Sequence, residues 1–250
     1  KFRSLSEFLA EHAHDTDIFC LQEISRSPAP RNTEENIRDD LFGDIAALLP
    51  EHEGYFAITQ EGFNWEPVIH EVALGNAIFI RKSMPVIEHG EVFIHKERNS
   101  LVFEEGLSGD WFSMPRVLQF LQTAEEDGEP LTLFNYHGLW HLSGKGDIPE
   151  RLEQSERISA FMEKFSGRKI LCGDFNLDMQ TKSVALLEAG MRNLVKEFGV
   201  ETTRHKEYYP RYSSMPHADY AFVTSGIEVK NFEVPHVPAS DHLPLLLDFS

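Results

Sequence analysis

The chain has 250 residues, 41% of them hydrophobic, and a net charge of −18 from 23 Lys and Arg against 41 Asp and Glu. That length is ample to bury the core of one domain. So acidic a chain cannot gather a polyanion through its overall field, so a phosphate ligand must be held by a local basic patch or a bound cation.

In chain order, Phe2, Leu5, Phe8 and Leu9 recur at helical spacing, which predicts an opening amphipathic helix. Residues 17–23 read as a short buried strand, 25–36 as a Pro-, Ser- and charge-rich loop, and 37–49 as a helix stopped by Pro50. Strands are predicted at 55–60, 76–81, 86–94, 117–123 and 131–137. A helix over 149–165 has Pro149 in its first turn, Leu152, Ile158, Phe161 and Met162 on one face, and Gly167 past its end. Strand patterns return at 169–175, 219–224, 227–234 and 243–249, while Glu104-Glu105 and the acidic run 125–129 read as solvated turns. Both cysteines, Cys20 and Cys172, sit inside apolar runs and read as buried reduced thiols, which excludes a disulfide scaffold. The longest apolar stretch, around 72–80, is far short of the ~20 residues that span a bilayer. No membrane insertion is expected, and a cytoplasmic monomer is the expectation. Many strands with few helices predict one α/β (α+β) domain with mixed sheets.

Four short polar motifs end apolar strands, where active sites of sheet proteins gather. Glu23, in Leu21-Gln22-Glu23, offers a carboxylate to a hard cation such as Mg²⁺ or Mn²⁺, or is an ordinary exposed strand end. In Gly173-Asp174-Phe175-Asn176, an extended chain would point Asp174 and Asn176 to one face to grip a water, with an Asx turn as the alternative. His242 follows Asp241 in Ser240-Asp241-His242-Leu243-Pro244 and needs an orienting carboxylate from elsewhere; Asp219, opening another apolar strand, is the candidate. His137 ends the strand Asn135-Tyr136-His137.

This ordered set (LQE, NYH, GDFN, ADY, SDHLP) resembles the endonuclease/exonuclease/phosphatase superfamily with its DNase I-like fold, in a bacterial-type member. Residues 75–81 and 115–119 resemble two further strands of that family, so the resemblance covers nearly the whole chain. It implies a four-layer αββα sandwich of two mixed β-sheets flanked by helices, with the site at one end. It implies Glu23 and Asp241 as metal contacts, with Mg²⁺ or Mn²⁺ as cofactor. Asp174 and Asn176 would position the attacking water. Asp219 would orient His242, and His137 would assist the leaving oxygen. The family begins with a strand carrying an Asn that contacts the metal site, whereas this sequence opens within the following helix. Residues 1–250 are therefore expected to form a single domain that lacks its first strand.

The resemblance implies a metal-dependent phosphoesterase acting on a phosphoester substrate, with nucleic acid among the candidates. Residues 202–217 interleave Arg204, Lys206 and Arg211 with Tyr208, Tyr209 and Tyr212, a composition suited to a phosphate backbone and stacked bases, or to an exposed loop with structural tyrosines. Arg204, Tyr208, Arg211 and Trp140 are the candidate substrate contacts, with His141, Phe63 and Trp65 completing a rim; Trp111 reads as packing. The leading expectation is a nuclease-type phosphodiesterase. The alternatives are a phosphatase or phosphodiesterase on a small molecule or phospholipid headgroup, of inositol phosphatase or sphingomyelinase type, and an inactive binding protein that keeps the fold.

Overall fold

The computed structural model describes residues 2–34, 37–101, 111–124, 128–207 and 215–250. Among them, three sheets form. Strands β1 (Ile18–Arg26), β2 (His52–Glu61) and β3 (Ala73–Arg81) make a three-stranded sheet in the order β1-β3-β2. Strands β4 (Val86–His95), β5 (Arg116–Ala124), β6 (Pro130–His137), β7 (Arg168–Asp174), β8 (Arg192–Asn193) and β9 (Asp219–Val223) make a six-stranded sheet ordered β4-β5-β6-β7-β9-β8. Strands β10 (Val229–Glu233) and β11 (Leu246–Phe249) form a separate ribbon. The expectation of two mixed sheets is corrected here. The three-stranded sheet is antiparallel throughout, and only the six-stranded sheet is mixed, through its parallel β6–β7 pair.

Alternation along the strands explains the layering. Phe120 and Phe134 pair across β5 and β6 and point outward, where their rings meet Phe161 and Phe165 at helix α3 (Pro149–Met162) and just beyond it. Their neighbours Gln119 and Asn135 point inward to the smaller sheet. On that sheet Phe19, Ala77 and Phe79 face outward onto helices α1 (Phe2–His12) and α2 (Leu41–Leu48), while Ile78 and Ile80 enter the central core. The result is the helix–sheet–sheet–helix sandwich expected.

Several boundaries differ from the sequence reading. Helix α2 starts at Leu41 because Asp40 caps it, its carboxylate accepting from the Gly43 amide at 3.2 Å. Short helices α4 (Lys182–Leu187) and α5 (Leu194–Glu197) are too brief for periodicity to announce. Strand β11 begins three residues late because residues 239–244 are pinned elsewhere. The Leu243 amide donates to Thr203 O, and His205 donates to Asp241 O, both at 2.9 Å. Phe63, expected on a rim, is fully buried with Leu74, Leu101 and Met114. Cys20 and Cys172 are free thiols on facing strands, packed at the margin of the core rather than enclosed by it. Glu104, Glu105, residues 125–127, and the Trp111 side chain lie outside what is described.

Among the described residues, strand β1 ends its sheet and β11 pairs only with β10. Both border an apolar groove of 1680 Å³, floored by Leu133, Ile170 and Cys172 and reaching Glu23, Asp219 and His242 at one end. No helix among the described residues is long and apolar enough to cross a membrane.

Candidate active site

Three strand ends place the first row of the site. In register across the six-stranded sheet stand His137 of β6, Asp174 of β7 and Asp219 of β9. Residues in register share a face, so two carboxylates and an imidazole stand side by side. The crowding requires glycine at position 173: a Cβ there would sit 1.9 Å from Tyr136 O, and φ is +138°.

The smaller sheet supplies Glu23. Asn135, fully buried, donates through Nδ2 to Leu21 O at 3.0 Å and Ala77 O at 3.1 Å, and its Oδ1 accepts from Gln22 Nε2 at 2.6 Å. These bonds lash β1 across β6. Immediately after them β1 bulges, with its register slipping between Leu21 and Ile24, and Glu23 adopts φ +59°. The bulge brings Glu23 Oε1 to 3.8 Å from His137 Nε2, which is itself 3.9 Å from Asp174 Oδ2.

The pinned turn at 239–244 delivers His242. Its Nδ1 lies 2.9 Å from both oxygens of Asp219, and its Nε2 is 3.8 Å from Asp174 Oδ2. Burial alone would keep the ring neutral, but Asp219 and Asp174 outweigh it and raise His242 to about 9. The ring is therefore an imidazolium between two carboxylates at neutral pH. Asp174 lies at about 2: burial opposes ionisation, but His242, Lys145, His137 and the Asn176 amide overcome it. His137 behaves oppositely. Burial, with Arg116 and His242 nearby, lowers it to about 3, so its ring stays neutral.

Asn176 reaches the site by a route other than the one expected. Strand β7 stops at Asp174, and Asn176 turns into the left-handed region at φ +53°, which Asn tolerates. Its backbone amide donates to Asp174 Oδ1 at 2.8 Å, and its Nδ2 donates to Gly138 O at 3.3 Å. The Asx turn, in place of strand alternation, joins the pair.

Ligand atoms of Asp174, Asp219 and His242 lie within 4.8 Å of one another. The imidazolium already supplies a positive charge to the two carboxylates in that trio. Glu23 is different. Crowding by the protein, Asp174 and Asp241 raise its carboxyl against the pull of His242 and Arg116, although the side chain is 47% exposed. A half-exposed carboxylate at the site mouth, beside the ionised Asp174 and a neutral imidazole, fits a hard divalent cation. Asp241 adds electrostatically to Glu23, although its Oδ1 accepts from Ser240 Oγ at 3.1 Å.

The expected substrate contacts divide. Arg204 is buried, and its charge acts on His242 and Lys145 rather than on an exposed rim. Trp140 is 38% exposed and Trp65 44% exposed. His141 lies edge-on to Phe112. Tyr208 and Arg211, with Tyr209 and Tyr212, lie outside the described residues. The sequence reading missed two cations beside Asp174. Arg116 opens the apolar strand β5, and Lys145 stands between two glycines in the loop after β6. A charge opening a buried strand and a Gly-Lys-Gly string were the available signals.

Comparison with known proteins agrees with this geometry. The model of the Endonuclease/Exonuclease/phosphatase family matches residues 1–242. A UPF0294 protein of Vibrio vulnificus is 28% identical over 140 residues, 56% of this chain and 46% of that protein. The chain thus spans about half the length of the curated relatives it matches. Among solved structures, a Bacteroides thetaiotaomicron mannosyl-6-phosphatase superposes with a TM-score of 0.71 at 18% identity, covering 100% of this chain and 91% of that one. The human nocturnin catalytic domain gives 0.62 at 17%, covering 100% and 87%. A truncated Caenorhabditis elegans TDP2 gives 0.59 at 17%, covering 97% and 90%. Because the match runs from the opening helix through His242, it takes in every strand end that builds the site, and the chain belongs to the Endonuclease/Exonuclease/phosphatase family.

Proposed function

We propose that the protein hydrolyses phosphoesters with the help of a divalent cation, Mg²⁺ or Mn²⁺. The observation that carries this reading is the Asp219–His242–Asp174 chain, with its imidazolium at the centre, beside the Glu23 carboxylate that the β1 bulge brings to His137.

In this reading Glu23 would hold the cation, with Asp241 as a further contact. When bound, it neutralises phosphate charge and stabilises the leaving oxygen. The chain's own groups do the rest. Asp174, ionised at any working pH, accepts the proton of the attacking water, and the Asn176 amide fixes which oxygen is free to do so. Asn176 keeps a second Nδ2 proton for the water or a phosphoryl oxygen. Asp219 holds the His242 ring so that Nε2–H faces the phosphoryl group, where a fixed positive donor strengthens as charge develops. His137, neutral, stands between Glu23 and Asp174 on the leaving side.

Two kinds of ester were expected. The nuclease-type phosphodiester reading leaned on residues 202–217, of which Arg204 is buried and the aromatic residues are not described. The phosphatase reading has support from the superposed mannosyl-6-phosphatase, and we favour it.

The test measures turnover of p-nitrophenyl phosphate, bis-p-nitrophenyl phosphate and single-stranded DNA with Mg²⁺, with Mn²⁺ and after chelation. Chelation should abolish activity, and Asp174→Ala and His242→Ala should each lower kcat by at least about 10². Wild-type rates in both variants would overturn the assignment.

A further inference from the structure

Charge buried without a partner is expensive, and proteins keep it where a ligand supplies the partner. Two such groups flank Asp174. Lys145 is 6% exposed, and among the described residues its ammonium makes no hydrogen bond and no ion pair. Its charge acts on Asp174 and Asp219. Arg116 is 5% exposed, its Nε has no partner, and its charge acts on Asp174 and Glu23.

Lys145 is held there by design of the loop. Fully buried Arg151 clamps residues 138–148 from within: Nε and Nη2 donate to Leu139 O at 3.1 and 3.0 Å, and Nη1 donates to Gly144 O at 2.8 Å and Gly146 O at 2.7 Å. Asp147 caps the next segment, accepting from the Lys182 and Ser183 amides at 2.8 and 3.0 Å. The Lys145 carbonyl accepts from the Asp178 amide at 2.9 Å. A loop stapled at three points presents one unpaired cation to the site. Burial pulls that ammonium down to about 8, against Asp174, which leaves it charged at neutral pH.

We propose that Lys145 and Arg116 bind the non-bridging oxygens of the reacting phosphoryl group, and that they select the dianion of a phosphate monoester over a diester. The inference rests on the phosphoesterase reading above and names its substrate class. A site with two unpaired buried cations besides His242 and a divalent ion has positive charge to spare for a second phosphate charge. A diester carries one charge and an alkyl group where a monoester has an oxygen, so it leaves one cation unanswered. Removing that cation harms the monoester more.

The test uses the full chain with Mg²⁺ and compares wild type, Lys145→Met, Lys145→Arg and Arg116→Gln. For Lys145→Met, kcat/KM on p-nitrophenyl phosphate should fall by at least about 10², and on bis-p-nitrophenyl phosphate by about 10 or less. Inhibition by inorganic phosphate should weaken by about 10-fold or more, and Lys145→Arg should recover part of both. Arg116→Gln should change the same ratio in the same direction. Lys145→Met should also keep or raise Tm, since it deletes an unpaired buried charge; a purely structural lysine would lower it. Unchanged phosphate inhibition and an unchanged monoester-to-diester ratio in folded Lys145→Met would overturn the proposal. Should wild type hydrolyse neither ester, the reaction reading fails. Calorimetric titration with inorganic phosphate then decides the anion site: binding by wild type that Lys145→Met loses supports it, and no binding by wild type overturns it.

Discussion

At the scale of single residues, the fold keeps ionisable groups wherever several donors converge on them, and Asp39 shows how tightly. It is fully buried, and its carboxylate accepts from the Arg31 and Asn32 amides, Asn64 Nδ2 and His70 Nε2, each at 2.8 Å. Burial alone would raise its pKa, but these four donors hold it below the ordinary aspartate value. Because the folded-state value is depressed, the stability it contributes is complete above about pH 4 and is lost as the pH falls below that. Asp39→Asn removes the charge while keeping the shape. We expect about 2 kcal/mol of destabilisation at pH 7, from weakened charge-assisted bonds, shrinking as the pH is lowered toward 3. Urea unfolding of both proteins at pH 7, 4 and 3 measures this, and a pH-independent difference would refute it. Asp39 passed unnoticed in the sequence because its donors come from residues 31–32, 64 and 70. The catalytic candidates were legible for the opposite reason: Glu23, His137, Asp174, Asp219 and His242 each stand at or beside the end of an apolar run. Lys145 stood in a polar loop where a lysine is unremarkable, and only the Arg151 clamp turns it inward.

At the scale of elements, the strands were legible from their apolar runs, and their irregularities were not. The bulge that lifts Glu23 over His137 depends on the slipped pairing of β1 with β3, which no property of residues 21–24 announces. The turn that carries His242 read as the start of a strand because Leu243 and Leu245 are apolar, yet its backbone pairs with Thr203 and His205. The edges of β1 and β11 carry a further consequence. Both border one apolar groove, and unpaired strand edges accept another strand through main-chain hydrogen bonds. The groove reaches Glu23 and His242, so a strand seated on either edge would border the candidate site.

At the scale of the whole molecule, the net charge of −18 and the candidate site pull in opposite directions. Cations are concentrated at the core of the site, where His242, Lys145, Arg116 and Arg204 surround Asp174 and Asp219. Acid is spread over the remaining surface. A long polyanion must therefore approach against the overall field to reach a small positive interior, while a small phosphate feels the repulsion only until it enters. Screening separates the two cases. The Debye length shrinks from ~30 Å at about 10 mM salt to ~8 Å at about 150 mM, so the repulsive far field collapses while contacts inside the site are largely spared. Across that range kcat/KM for a small phosphate monoester should rise by less than about 3-fold, and any activity on an oligonucleotide should rise more steeply. A protein that captured nucleic acid through an extended basic surface would lose affinity over the same range, because bound counterions would have to be released from each contacted phosphate. Activity on an oligonucleotide that falls steeply with salt would show that an extended basic surface dominates capture, and the phosphodiester reading would then displace the monoester one. A rise would fit an acidic protein whose recognition is confined to the few buried cations beside Asp174.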